Sequence, residues 1–579
     1  MKQELEAAVV AAVQDVYGVD VTVELTRPEA QFGDYATNVA LQLAKQVGQN
    51  PREIAQALAD HVKGLSSHIA AAEVAGPGFL NLTLTDKALL AAGKANETKS
   101  LAGKKVLVEY SDPNPFKPLH AGHLYTTLVG DTIARLVEAA GAETVRINYS
   151  GDVGRHVGIS MWAIVKKLGG ELPEKLADVP ASERPTWLGE RYVEGTTAFE
   201  DEAAKAGILV CNKKVYDIHY QNDHDSPFAQ IYWTCRQWSY DYFPELYQQL
   251  EVMPFDRFIP ESEVTPLGVA TVHEQLQRGV YKESDGAVVF DGEPYGLHTR
   301  VFINSQGLPT YETKDVGLSL TKWRDYHFDD SIIITANEQA QYMQVVVKSI
   351  EQFAPEPAER TLHITHGTVK LKGGVKMSSR KGNIVTALEI LEAAREAGKS
   401  CGAKVTEENM LAAVKYAFAK NRIGGDVVYD PTESIALEGN SGPYLQYAHA
   451  RARSILAKAP GADTLRAGEE SFSEKEDLST ALATADSAQD NAVLLPDERL
   501  LARKLTEYPE VIAKATAELM PHHICTYLYE LAQAFNRFYE KNRVIGDERE
   551  TLRLSLVETY AETLKNGLTL LGIHAPERM

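Results

Sequence analysis

Between residues 110 and 131 the chain reads YSDPNPFKPLHAGHLYTTLVGD. His120 and His123 stand three apart with Gly122 between them, so both imidazoles fall on one face of a first helical turn. A strand-like run at 104–110 precedes them and a helix-like run follows. A helix N-terminus carries unpaired backbone N–H groups and about half a positive charge, which favours phosphate. Gly122 lets a flat ring or a phosphate come close to the backbone, and Lys117 stands just before. Such a cluster suits phosphoryl chemistry, in which catalysis is mainly positioning and charge stabilisation. With 16 histidines and 41 glycines in 579 residues, chance supplies about 0.03 HxGH spacings, so two surface histidines capping a turn is the weaker reading.

A second stretch, KLKGGVKMSSRKGNIV at 370–385, holds glycines, serines and the cations Lys376, Arg380 and Lys381. Such a loop can close over a polyphosphate, although alone it reads equally as a solvated basic turn. AREAGKS at 394–400 nearly spells a P-loop, but helical sequence precedes it where a strand is required, so Gly398 reads as a helix C-cap. The histidine pairs LHITH (362–366) and PHH (521–523) lack companion ligands and read as core or capping residues.

These residues need a scaffold. From 104 the pattern runs strand, turn, helix, strand (KKVLVEY, the HAGH helix, TVRINY), a βαβ unit that implies a parallel sheet. Before it, residues 1–100 mix helical and strand patterns, with helix 1–17, a strand VTVEL (21–25) and a Gly-Pro turn into GFLNLTL, as a small α+β module. Residues 150–300 read as an irregular, aromatic-rich, acidic insertion, after which RVFINS (300–305) and SIIITA (331–336) resume sheet-like patterns. Strands thin out over 386–440, and 441–579 is helical in period with an acidic linker near 469–479. The expected fold is therefore multidomain: an α/β Rossmann-type parallel-sheet catalytic domain at 101–385 with an insertion, an N-terminal α+β module, a connecting segment and a C-terminal all-α bundle.

The net charge is −21, which argues against a DNA-coating protein but leaves room for a local basic path. Four scattered cysteines without CxxC spacing argue against zinc or a disulfide framework and fit a reducing cytoplasm. No apolar run reaches the ~18 residues of a membrane span.

HAGH followed by KMSSR resembles the paired signatures of the class I aminoacyl-tRNA synthetases, and the details are similar to the arginyl-tRNA synthetase family. VEYSDPNPFKPLHAGHL (108–124), FDRFIPES (255–262), YETKDVG (311–317), SGPYLQYAHARARSIL (441–456) and LKNGLTLLGIHAPERM (564–579) carry that resemblance, with FGDYATNVA (32–40) and GPGFLN (76–81) in the N-terminal module. It covers most of the chain, and 165–250 least. It implies ATP-dependent ligation of L-arginine to its tRNA through an arginyl-adenylate, by a cytoplasmic monomer. ATP would arrive with substrate-borne Mg2+, and no zinc is expected. It further implies that His120, His123, Lys117 and Lys376 serve catalysis, with Gly122, Ser378 and Arg380 at the nucleotide. Asp315 and Glu261 match the guanidinium acids, and Tyr311 adds an acceptor. Asn114 and Gln339 match holders of the α-ammonium and carboxylate, and Glu109 is a further candidate there. For tRNA, the candidates are Phe79 and Asn81 in the elbow-binding module, and Tyr447, Arg451, Asn536, Tyr539 and Met579 in the anticodon-binding bundle.

Two positions depart from the family pattern. Ser379 stands where the second signature has its second lysine, and Lys117 occupies the place thought to compensate in this branch. Asp112 stands where the branch often has a small polar residue. Outside the arginyl branch, the alternatives are another class I synthetase or an HxGH nucleotidyltransferase, and a non-catalytic tRNA-binding paralogue.

Overall fold

The computed structural model describes residues 1–94, 99–372, 385–400, 406–459 and 493–579. The N-terminal module starts with α1 (Lys2–Tyr17), which buries Leu5, Val9, Ala12 and Val13 as one stripe and stops at Gly18 (φ 64°). Then come β1 (Tyr35–Thr37), α2 (Val39–Val47), α3 (Pro51–Val62), β2 (Ile69–Ala75) and β3 (Phe79–Leu84), with the strands antiparallel in the order β1-β3-β2. Helix α4 (Asp86–Gly93), capped by the Thr85 hydroxyl, leads out. The run VTVEL, expected as a strand, buries Val23 and Leu25 in alternation but forms no ladder. Leu25 instead donates its N–H to the Glu6 carboxylate at 3.1 Å, and pairing there is limited to one bridge, Thr26 to Ala36.

The catalytic unit is a five-stranded, all-parallel sheet in the order β11-β10-β4-β5-β6. β4 (Lys105–Glu109) lies in the middle. After it the chain enters α5 (Ala121–Ala139) and returns as β5 (Glu143–Ser150). The order reverses at β4, with β5 and β6 on one side and β10 and β11 on the other, so a crevice opens beyond its C-terminal end. The HAGH turn sits at that crevice. α5 rides close over β4 because Gly130 faces the Tyr110 side chain with no room for a Cβ.

The segment after β5, expected as irregular, is helical. It comprises α6 (Arg155–Leu168), α7 (Arg184–Ala198), α8 (Glu202–Tyr220) and α9 (Pro227–Gln249), packed on Val157, Met161, Ile164, Tyr232 and Trp238. Aromatic residues of this aromatic-rich insert form much of this core. The chain then rejoins the sheet as β6 (Arg257–Pro260), so the insert closes well before residue 300. Helix α10 (Glu261–Gln277) follows, then a small antiparallel sheet of β7 (Lys282–Ser284), β8 (Ala287–Phe290) and β9 (Arg300–Ile303). Next come α11 (Tyr311–Tyr326), β10 (Asp330–Ala336), α12 (Ala340–Glu351), α13 (Pro355–Glu359) and β11 (Thr361–His366).

Strands β12 (Val369–Leu371) and β13 (Val427–Tyr429) pair in parallel and bracket α14 (Ala387–Ser400) and α15 (Glu407–Ala419). Gly398, expected as a C-cap, is buried inside α14. After the short α16 (Pro431–Ser434), α17 (Gly442–Leu456) opens the bundle, joined by helices Pro496–Leu505, Tyr508–Glu518, His522–Lys541 and Glu550–Leu570. The acidic linker at 469–479 lies outside the described residues.

The two ends of the chain are clasped together. Arg499 of the bundle pairs with Asp34 (2.6 Å) and Asp86 (2.5 Å) of the N-terminal module. Arg27 answers from the other side onto Glu510 (2.6 Å). Asp34 is buried and also accepts the Leu84 N–H (2.7 Å).

Candidate active site

The loop from β4 to α5 is bent hard, with Ser111, Asp112 and Phe116 at φ of 74°, 45° and 68°. Such left-handed non-glycine residues persist where surrounding structure over-determines them. Here Tyr149 donates its N–H to Asp112 (2.8 Å), Ser111 meets the Tyr247 hydroxyl (2.7 Å), and Phe116 donates its N–H to Ser239 of α9 (2.9 Å).

His120 is the N-cap of α5. Its Nδ1 accepts from the N–H groups of Gly122 (3.1 Å) and His123 (3.3 Å), while His123 Nδ1 accepts from His120 N–H (3.3 Å). The rings stack at 3.7 Å. Gly122 is required because a Cβ there would lie 2.9 Å from His120 Cε1. Ala121 N–H is also taken, by Val385 O (2.7 Å). The expectation that unpaired backbone N–H groups at this turn would hold phosphate is thus corrected: the first three donors are satisfied internally. What the turn offers instead follows from the tautomers. With both Nδ1 atoms accepting, each neutral ring carries its proton on Nε2, at its outer edge. Burial pushes the His120 pKa down to about 4, helped by Lys117 and His366, and holds His123 well below the usual histidine range. Lys117, pushed down to about 8 by burial and steadied by Glu261, sits over the Tyr192 ring of α7 at 5.2 Å. His366 Nε2 lies 2.6 Å from the hydroxyl of Thr126 on α5, the packing role its LHITH motif suggests.

Next to this turn is an acid pocket. Its walls are α10 and α11, which cross at glycine: a Cβ on Gly268 would collide with the Thr313 carbonyl, and one on Gly317 with the Val264 carbonyl. That approach brings Glu261, at the first position of α10, onto Lys314 of α11 as a buried ion pair. Asp152, fully buried, fixes the start of α10 by accepting from Ser262 N–H (2.9 Å) and hydroxyl (2.7 Å), and pairs with Arg236 (2.9 Å). Asp315 accepts the Tyr342 hydroxyl. Tyr311, one turn earlier, is 3.0 Å from His156 Nδ1. Burial pushes both Glu261 and Asp315 up to about 7. Asp112 is held well above the usual carboxylate range by burial, with Glu109 adding to it. Glu109 itself is tied to Lys322 (2.8 Å), so its carboxylate is committed to a wall. The Asn114 amide oxygen lies hard against the backbone of Gly151, and Gln339 is exposed at the C-terminal end of β10. Glu109, Asp112, Glu261 and Asp315 crowd this pocket with Lys314, Lys322 and Lys117, and a cationic ligand would draw Glu261 and Asp315 into their ionised forms.

Lys376, Ser378, Ser379, Arg380 and Lys381 lie outside the described residues. Among the residues absent from the sequence expectations, His156, Asp152, Lys314 and Tyr342 shape the pocket most. GDVGRHVG, a histidine beside glycines at a helix start, carried the same kind of signal as HAGH.

In the bundle, Arg451 of α17 lies 4.7 Å over the Tyr539 ring, and both line a cavity of about 520 Å³ with Lys458, Lys541 and Arg543. Asn536 instead donates to the Tyr444 hydroxyl (2.9 Å) inside the bundle. Tyr447 and Met579 are exposed. In the N-terminal module Phe79 is exposed, whereas Asn81 on the same strand face is buried. Among the described residues no cluster of three or more His, Cys, Asp or Glu is arranged to hold a metal. No described helix is long and apolar enough to cross a membrane.

Three family models match the chain: the arginyl tRNA synthetase N-terminal domain at 1–84, the class I (R) tRNA synthetase catalytic domain at 85–429 and the DALR anticodon binding domain at 445–579. The arginine–tRNA ligase of Porphyromonas gingivalis is 30% identical over 100% of this chain and 99% of its own. That of Bdellovibrio bacteriovorus is 29% identical over 95% and 93%. The structure of Thermus thermophilus arginyl-tRNA synthetase superposes with a TM-score of 0.76 at 26% identity, covering 100% of both chains. With a parallel sheet whose switch point carries the histidine turn, an acid pocket beside it and all three domain models in order, this chain belongs to the arginyl-tRNA synthetase family.

Proposed function

We propose that the chain uses ATP to join L-arginine to its tRNA, acting as a cytoplasmic monomer. The guanidinium, a rigid cation with five donors and no acceptor, enters the acid pocket against Asp315, Glu261 and the Tyr311 oxygen. Asn114 and Gln339, near the strand ends at the crevice, take the α-ammonium and carboxylate. The arginine carboxylate then attacks the α-phosphorus of ATP in line. A carboxyl O–P bond forms, the bond from that phosphorus to the bridging oxygen breaks, and pyrophosphate leaves with the negative charge. The Nε2–H groups of His120 and His123 and the Lys117 ammonium meet that charge where it develops. In a second step the 2′-hydroxyl of the terminal tRNA adenosine attacks the adenylate carbonyl. The ester forms and AMP leaves.

Magnesium would arrive on the nucleotide. Glu109 and Asp152 fit that view, since Glu109 is committed to Lys322 and Asp152 to Arg236 and Ser262. For tRNA, exposed Phe79 offers a stacking face at one end, and the Arg451–Tyr539 cavity offers a ring with cations at the other.

The observation that carries the reading is the juxtaposition at one sheet crevice of two Nε2–H imidazoles and a lysine with a buried acid pocket. Its test is pyrophosphate exchange and aminoacylation with each of the twenty amino acids and total tRNA. Exchange with arginine alone is expected. Exchange with a different amino acid would reassign the pocket, and tRNA binding with no exchange under any condition would make the chain a non-catalytic relative.

A further inference from the structure

His156 stands in the first turn of α6, and both of its ring nitrogens are engaged. Nε2 lies 2.6 Å from the carbonyl oxygen of Gly151, and Nδ1 lies 3.0 Å from the Tyr311 hydroxyl. The two rings are close to parallel, at 17°. A carbonyl oxygen can only accept, so Nε2 carries the proton. Desolvation pushes the His156 pKa down to about 3, with the nearby cations Lys117, Lys314 and Arg155 adding to that, so the ring is neutral. Nδ1 is then a lone pair, and the Tyr311 hydroxyl must donate to it. A phenol has one proton. With that proton given to His156, the oxygen of Tyr311 has only lone pairs left for the pocket.

This matters because a phenol can meet a ligand in either sense. A hydroxyl free to rotate would offer its proton to a neutral urea as readily as it would accept from a guanidinium. We infer that His156 is a positioning residue of the arginine pocket: by taking the Tyr311 hydroxyl proton it makes Tyr311 an acceptor only, matched to a guanidinium and mismatched to the isosteric urea. The inference rests on the reading of Tyr311 as part of the arginine pocket. His156 touches no substrate in this account and acts wholly through the tyrosine. Its support is local and rigid, since Gly151 ends β5 with no room for a side chain between the Asn114 amide and His156.

The test measures pyrophosphate exchange for the wild-type chain and for His156→Phe, His156→Gln, Tyr311→Phe and the double variant His156→Phe/Tyr311→Phe, with thermal melts of each. L-Citrulline, which carries a urea in place of the guanidinium, serves as a competitive inhibitor. His156→Phe is expected to raise KM for arginine about fivefold, the size of one hydrogen bond, with kcat held within about twofold. It should also tighten citrulline inhibition, because the freed hydroxyl can now donate to the urea oxygen. His156→Gln should recover most of the wild-type KM, its amide oxygen accepting from Tyr311 and its NH2 donating to Gly151. The double variant should be no worse than Tyr311→Phe, because the two residues act as one unit.

Additive losses in the double variant, or citrulline inhibition unmoved in His156→Phe, would overturn the role of His156 while leaving the pocket in place. If Tyr311→Phe leaves KM for arginine unchanged, the pocket assignment itself fails and the inference falls with it. The citrulline readout stands apart from folding, since a merely loosened site would weaken both ligands together.

Discussion

At the scale of single residues, the histidine turn divides its labour between nitrogens. Both Nδ1 atoms hold the backbone of the turn, and both Nε2–H groups are left to the chemistry. Neutral imidazoles are donors without charge, so in the proposed reaction Lys117 is the cation on this side. Lys117→Ala is therefore expected to lower kcat of arginine activation by about 10²–10³ with a far smaller change in KM for ATP, the mark of a group used in the transition state. A rise in KM alone, read in steady-state exchange, would leave Lys117 a ground-state anchor. In the acid pocket, Asp315→Asn should cost about 2–5 kcal/mol in kcat/KM for arginine, because a charge-assisted partner is lost from a buried site. Titration gives a third expectation. Glu261 and Asp315 are both raised to about 7, and a guanidinium binds their ionised forms. Above pH 7 they are already ionised. Below it each must lose a proton on binding, so KM for arginine should rise by about tenfold per pH unit for each group involved. A KM flat from pH 8 to 6 would remove both carboxylates from the ligand.

At the scale of elements, the pocket is as narrow as its glycines allow. Gly317→Ala puts a methyl group onto the Val264 carbonyl, a backbone atom that cannot swing away. Pushing α10 from α11 is expected to cost about 3 kcal/mol of stability, the upper part of the usual overpacking range, and to raise KM for arginine with it. Calorimetry and exchange kinetics on the same preparation check both halves. The same helices show why some features could be read in the sequence. HAGH and YETKD are local patterns whose spacing survives folding, so His120, His123, Tyr311 and Asp315 are visible in one dimension. Asp152 and Tyr342 come from separate elements that meet only when the sheet closes, and no spacing announces them, whereas His156 sits in the GDVGRHVG pattern and could have been read. VTVEL shows the reverse failure. Its alternation of buried and exposed residues is true, but a strand also needs a neighbour, and Glu6 takes the N–H that a neighbour would have used. The insert, expected as irregular, fails differently, because its aromatic residues pack four helices against each other.

At the scale of the whole molecule, a chain of net charge −21 still carries local cationic surfaces such as the Arg451, Lys458 and Arg543 cavity, which fits the tRNA contact proposed there. Arg499 is one of the links between the two ends of the chain, beside Arg27 on Glu510. Arg499→Ala leaves the buried Asp34 facing Arg503 at 3.4 Å as its remaining cation. A loss of about 3 kcal/mol is expected, little changed between low and high salt because the pair is sheltered. Melting curves at two ionic strengths check this. A loss that vanished in salt would mark the clasp as a surface contact.

That clasp also has a meaning in time. Arg499 and Asp34 are 465 residues apart, which at about 5–20 residues per second is about 20–90 s of synthesis. Through that interval the N-terminal module exists without its arginine, while the Leu84 amide holds the Asp34 carboxylate. Asp86 waits almost as long, 413 residues ahead of the same guanidinium. One late side chain thus closes two early carboxylates at once, and the join between the ends of the molecule must wait until the bundle has begun to emerge.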